Sequence, residues 1–194
     1  MTPMMPKGVE QTLFTARQTI AEWIFPESIQ LRNEAERAAN HDALTGLANR
    51  CALDRALPVA EDDEGIAVVL FDLNHFGKVN KLRSHAAGDW LLCEFADALR
   101  CAALAYHVAP RVFRRGGDEF VALVPTEEAE EFRSSVEVLF GAHPVRQLVP
   151  NATEVVTVSA SGTVGRTFAE ADARLQARKW EAKQQQQVRE AQRV

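Results

Sequence analysis

From residue 41 onward the apolar residues recur with periods that switch between strand and helix. Residues 66–71 (IAVVLF) form an unbroken apolar run of strand length, rich in β-branched side chains. Such a run predicts a central strand buried on both faces. Residues 76–82 and 86–104 carry helical patterns separated by a tight step at Ser84 and His85. Residues 111–115 and 120–124 are short strand patterns with only Gly116, Gly117, Asp118 and Glu119 between them, which predicts a hairpin. A helix over 127–139, an alternating strand over 154–161 and a final helix over 168–187 complete the series. Ahead of the first strand, Thr45 and Gly46 supply turn chemistry, a short helix reaches Ala56, and residues 61–65 (EDDEG) read as an exposed acidic loop. The order is βαββαβ with added elements. It predicts an α+β sandwich with a mainly antiparallel central sheet flanked by helices, a ferredoxin-like or palm-like core.

The first forty residues are patterned differently. Leu13, Ala16, Ile20, Trp23 and Ile24 fall at helical spacing, Pro26 interrupts, and Ser28 is a suitable cap for a second helix over 29–40. That second piece is polar, with Gln30, Arg32, Glu34, Glu36 and Arg37, so it reads as a solvated lead-in or as half of a weak coiled coil. The expected organisation is a helical lead-in over 1–40, which is a possible dimerisation segment, a globular domain over 41–183, and a polar tail over 184–194.

Composition narrows the function classes. At 194 residues and 46% hydrophobic, the chain can bury a core without disulfide staples. A net charge of −5 gives no support for a nucleic-acid partner, although a few local lysines suffice for a small phosphorylated ligand. Cys51, Cys93 and Cys101 lack CxxC spacing and read as reduced, mostly buried thiols, with no zinc site. No apolar run approaches the roughly 18 to 20 residues of a membrane span, and MTPMMPKG lacks the apolar stretch of a signal peptide, so a cytoplasmic location is expected.

Two constellations carry candidate chemistry. Asp72 directly follows the apolar run, where a carboxylate is held rigidly at the end of a strand; its plain alternative is a helix N-cap. A calcium-loop reading that starts at Asp72 fails, because Phe76 and Arg83 stand where oxygen ligands are needed. The second constellation is Arg114-Arg115-Gly116-Gly117-Asp118-Glu119-Phe120. Two glycines allow positive φ and a close backbone approach to a ligand. The adjacent acids are expected on the outgoing strand, one on each face, so that one meets Asp72 across the sheet. Two carboxylates from neighbouring strands, completed by substrate phosphates, make an oxygen site suited to Mg2+.

Gly116 to Phe120 is the motif of the GGDEF family, the diguanylate cyclases, and the chain resembles that family over about residues 40–183. His41-Asp42-Ala43-Leu44-Thr45-Gly46-Leu47-Ala48-Asn49-Arg50 is similar to the family's opening segment, and Asp72-Leu73-Asn74-His75-Phe76 to its first metal segment. Asn80, His85, Gly88 and Asp89 fall at the family spacing, and the stretch from Ala171 and Asp172 to Lys179 resembles its last helix motif. The resemblance implies condensation of two GTP molecules into cyclic di-GMP with release of pyrophosphate, by a homodimer in which each copy holds one GTP. It implies Mg2+, or Mn2+ in its place, held by Asp72, the Leu73 carbonyl and Glu119. Asp118 or Glu119 would help deprotonate the attacking hydroxyl. Asn80 and Asp89 match the guanine readers; His85, Gly116 and Gly117 match other substrate-binding positions, and Lys179 and Lys183 match those that touch the terminal phosphates.

Departures from the family pattern are also present. Gly77 and Lys81 stand where the family usually has Lys and Asp, Lys183 where it has Arg, and Arg174-Leu175-Gln176 where it has Ala-Leu-Tyr. The family's inhibitory product site, an Arg and an Asp three apart, is replaced by His107 and Pro110, so that site is expected to be missing. These departures leave a second reading: a catalytically silent module that binds GTP or a regulatory protein, the latter through the N-terminal helix.

Overall fold

The computed structural model describes residues 26–82, 84–106, 111–141, 143–145 and 156–191. The chain divides into two units that meet between Ala39 and Asn40. The described part of the first is helix α1, Pro26–Asn40, whose residues are almost all exposed. Pro26 is the first described residue of this helix. Proline's fixed φ and missing N–H suit a first helical turn. The apolar positions Leu13, Ala16, Ile20, Trp23 and Ile24 lie outside the described residues, as do His107 and Pro110.

In the second unit the elements run α2 (Arg50–Asp62), β1 (Ile66–Asn74), α3 (Phe76–Leu82), α4 (His85–Ala103), β2 (Arg111–Gly116), β3 (Glu119–Pro125), a 3-10 turn (Thr126–Glu128), α5 (Ala129–Phe140), β4 (His143–Val145), β5 (Val156–Gly165) and α6 (Phe168–Ala191). The five strands are ordered β2-β3-β1-β5-β4, and every pairing is antiparallel. This is the expected α+β architecture. Four details differ from the pattern read along the chain. α2 runs past Ala56 to Asp62, so Glu61 and Asp62 end a helix and do not belong to the expected loop. β4 pairs with the start of β5. β5 reaches Gly165, because Gly162, Thr163 and Val164 keep pairing with β1. α6 continues to Ala191, so the polar residues 184–191 are its last turns.

β1 is central because both of its faces are apolar and both of its edges are paired. The odd-numbered positions Val69, Phe71 and Leu73 join Phe95, Phe120, Phe132 and Phe140 in a core beneath α4 and α5. Phe95 touches Phe71, Phe120 and Phe140 edge to face, with ring centroids 4.8–5.7 Å apart. The even-numbered Val68 and Leu70 join Leu53, Val121, Leu123, Ala171 and Leu175 beneath α2 and α6. Each fully buried Phe or Leu contributes about 2–3 kcal/mol of transfer free energy. The second core ends at Leu70, and on the same face the next two positions are Asp72 and Asn74. α6 therefore covers the polar end of β1 as well as its apolar end.

The cysteines are free, but they are not buried as a group: Cys51 and Cys101 are exposed and Cys93 is half-buried. They fall away from the core-facing stripes of α2 and α4, which are filled by Leu53, Ala60, Leu91, Phe95 and Leu99. Among the described residues no helix is long and apolar enough to cross a membrane.

Candidate functional site

Asp72 lies within β1 and not after it, so it caps no helix. Strand pairing extends three residues past the apolar run, to Asn74, because Asp72 and Asn74 meet Ser161 and Ser159 of β5. Its other neighbour is Glu119, the first residue of β3, which stands directly opposite. Glu119, Asp72 and Ser161 thus form a row across three strands. Asp118 is in the hairpin turn, so the two acids are not displayed on opposite faces of one strand. The hairpin places them this way because Gly116 and Gly117 both take positive φ, 147° and 54°. A Cβ on either glycine would meet nothing within 4 Å, so the turn is open to solvent.

Asp72, Asp118, Glu119 and Ser161 line a cavity of about 700 Å3 together with Leu73, Asn74, His75, Phe76, Gly77, Ser159, Lys179, Ala182 and Lys183. His75, at φ 66°, turns the chain from β1 into α3 at the cavity wall. The Lys179 ammonium, on α6, donates to Asp72 Oδ2 at 2.6 Å. Glu119 is held by Arg115, which also lies over the Phe168 ring. Burial pushes the Asp72 carboxyl above its ordinary value, and the charges of Asp118 and Glu119 add to this, while Lys179 opposes it.

The donor set fits a hard divalent cation. Asp72 and Glu119 are carboxylates in register on adjacent strands, Leu73 lines the same cavity, and the crowding of negative charge around Asp72 is what a dication would relieve. Among the described residues no group of three His, Cys, Asp or Glu side chains forms a metal cage without a substrate.

Of the residues that the family resemblance marks, Gly116 and Gly117 form the exposed hairpin turn and do not line the cavity, and the rest divide into two groups. Asp72, Leu73, Asp118, Glu119, Lys179 and Lys183 line one cavity. Asn80, His85 and Asp89 do not line it, and occupy the α3–α4 helical hairpin. There Ser84 caps α4 by accepting from the Ala87 N–H, and His85 and Asp89 are exposed. Asn80 Oδ1 is buried without a partner among the described residues. It sits over Gly88, where a Cβ would come within 2.0 Å of it. Phe76 belongs to both groups: it lines the cavity, and its ring edge would lie 3.3 Å from a Cβ on Gly88. Asn74, Ser159, Ser161 and the Asp42–Arg114 pair were not singled out from the sequence. The period-two placement of Asp72 with Asn74, and of Ser159 with Ser161, is the signal that marks the first three.

The diguanylate cyclase GGDEF-domain family model matches residues 39–193. Diguanylate cyclase DgcM of Escherichia coli K12 is 34% identical over 121 residues, which is 58% of this chain and 28% of that protein. Diguanylate cyclase DgcS of Shewanella oneidensis is 38% identical over 96 residues, 47% of this chain and 31% of that protein. The chain thus spans less than a third of the length of these two relatives. The coiled-coil and GGDEF structure of DgcB from Caulobacter crescentus, in complex with c-di-GMP, covers 87% of this chain and 95% of its own, with a TM-score of 0.66 and 23% identity. Diguanylate cyclase SiaD of Pseudomonas aeruginosa, in complex with its activator SiaC, covers 92% of this chain and 70% of its own, with a TM-score of 0.61 and 26% identity. With its two-glycine turn, its facing carboxylates and a family match over most of its length, the chain belongs to the GGDEF domain family.

Proposed function

We propose that the chain is a diguanylate cyclase that joins two GTP molecules into cyclic di-GMP. The observation that carries this reading is the alignment of Asp72 with Glu119 at a cavity that Lys179 and Lys183 also line. In each transfer the 3′-hydroxyl of one GTP attacks the α-phosphate of the other. An O–P bond forms, the bond to the β-phosphate bridging oxygen breaks, and pyrophosphate leaves. Two such transfers close the ring, and because each copy holds one GTP the working species is a homodimer.

Asp72, the Leu73 carbonyl and Glu119 would hold Mg2+, which when bound neutralises triphosphate charge and stabilises the in-line displacement. Lys179 releases Asp72 and turns to phosphate oxygens, joined by Lys183, while Arg115 releases Glu119. Asp118 makes no ion pair among the described residues, so it is the carboxylate ready to take the hydroxyl proton. Asn80 and Asp89 read the guanine edge: a carboxylate accepts from N1–H and the exocyclic amine, which adenine does not offer. The orphaned Asn80 oxygen, made room for by Gly88, is a polar atom that a bound base would satisfy. A regulatory protein partner is supported by SiaD, a similar protein solved with its activator, and the N-terminal segment is the part of this chain we propose for it.

The test is incubation of the purified chain with Mg2+ and GTP or ATP, followed by chromatography. Cyclic di-GMP from GTP alone is the expected result. GTP binding without product would instead identify the silent module.

A further inference from the structure

Asn74 and Ser159 are partners across β1 and β5, two pairings beyond Asp72 and Ser161, so the four side chains share a face. The Asn74 amide nitrogen donates to Ser159 Oγ at 3.0 Å and to Ser161 Oγ at 2.8 Å. An amide nitrogen carries two hydrogens, and this arrangement uses both. Each serine oxygen is therefore an acceptor already, and its own proton remains to be placed. Thr163, the next residue on this face, spends its hydroxyl on the Ala171 carbonyl at 2.7 Å. Ser159 and Ser161 spend theirs on no acceptor among the described residues, and both line the cavity with Lys179 and Lys183. The group that accepts hydroxyl protons beside two ammonium groups is an anionic oxygen.

We infer that Ser159 and Ser161, with their hydroxyls set by Asn74, donate to phosphate oxygens of the bound triphosphate. They are binding residues alongside Lys179 and Lys183, and Asn74 is a positioning residue that acts through them. The inference rests on the reading of the cavity as a nucleoside-triphosphate site and adds the wall of that site formed by β5. Asn74 is the element that gives the pair its direction: by filling a lone pair on each serine, it leaves the O–H bonds to point away from the strand.

The test is equilibrium binding to the purified full chain with Mg2+, using GTP, inorganic tripolyphosphate and guanosine as separate probes. The Ser159→Ala/Ser161→Ala variant is expected to lose about tenfold or more in affinity for GTP and tripolyphosphate, with guanosine binding and the melting midpoint unchanged. Ser159→Thr/Ser161→Thr keeps both hydroxyls and is expected to restore triphosphate affinity. Asn74→Ala is expected to weaken tripolyphosphate by a smaller factor and leave guanosine unaffected. Undiminished tripolyphosphate affinity in the alanine variant, or a threonine variant as weak as it, overturns the inference while the nucleotide reading stands. A wild type that binds tripolyphosphate but not GTP removes the nucleotide reading, and the serine variants still decide the hydroxyl assignment on tripolyphosphate. A wild type that binds neither overturns both.

Discussion

The Arg114 guanidinium grips the Asp42 carboxylate at 2.9 and 3.1 Å, and with its remaining nitrogens donates to the Gly117 carbonyl at 2.9 and 3.2 Å. The opening segment is thereby tied to the hairpin turn that carries Asp118 and Glu119. The Arg114 N–H also donates to the Ala48 carbonyl at 2.8 Å, and Ala48 pairs with Phe113, so this segment lies along β2. Asp42 accepts further from the Thr45 amide and hydroxyl.

This pair predicts an acid-side loss of stability. Burial of Asp42 raises its carboxyl, but the hydrogen bonds from Thr45 and Arg114 outweigh this and hold it below its ordinary value of 3.8. A depressed carboxylate contributes stability above its unfolded value, and the contribution is lost as pH falls through the folded value. Asp42→Asn should flatten the stability profile below about pH 4 and lower stability at neutral pH by about 1–3 kcal/mol. Denaturant titrations of both proteins at several pH values check this; parallel profiles would remove Asp42 from the acid transition.

Glu119→Gln should abolish cyclic di-GMP formation while the melting midpoint stays near wild type. The amide keeps the shape of the side chain but is a neutral and weaker ligand for a hard cation. Product measured by chromatography beside a thermal melt separates the two effects, and retained turnover would take Glu119 out of the cation site.

Gly88→Ala should separate stability from nucleotide binding. The new Cβ would displace Asn80 Oδ1, which would otherwise lie 2.0 Å away, while alanine gains up to about 1 kcal/mol in the helix interior. GTP affinity is expected to fall about tenfold or more, on the loss of a base-reading contact, with the fold intact. Asp89→Ser, in turn, should relax discrimination against ATP, because sites built to hydrogen-bond a substrate discriminate by about 10⁴-fold or more. Competition between GTP and ATP in each variant provides the measurement; unaltered exclusion of ATP in Asp89→Ser would show that another residue reads the base.

On the proposed homodimer mechanism, deletion of residues 1–38 should lower activity per molecule most at low protein concentration, with partial recovery at high concentration, because two half-sites would have to meet. Initial rates over a dilution series of both proteins test this. Rates proportional to protein concentration in both would rule out control by assembly.

Read as a linear pattern, the chain determined the α+β class, the central strand and the hairpin, because burial on one or both faces leaves a period that needs no knowledge of neighbours. The run at 66–71 reads as buried on both sides because its odd- and even-numbered residues are apolar alike. The placement of Asp72 was decided only in three dimensions. Next to an apolar run, a carboxylate looks like the start of a helix; it remains in the strand because Ser161 and Glu119, distant in sequence, occupy the facing positions on β5 and β3. The same pairing brings Asn74 to the two serines, and the path of α6 brings Lys179 to Asp72. Polar contacts of this kind leave no periodic trace. Each depends on the register between strands or on the packing of a helix over a sheet, and that register is set by apolar residues elsewhere on the same strands.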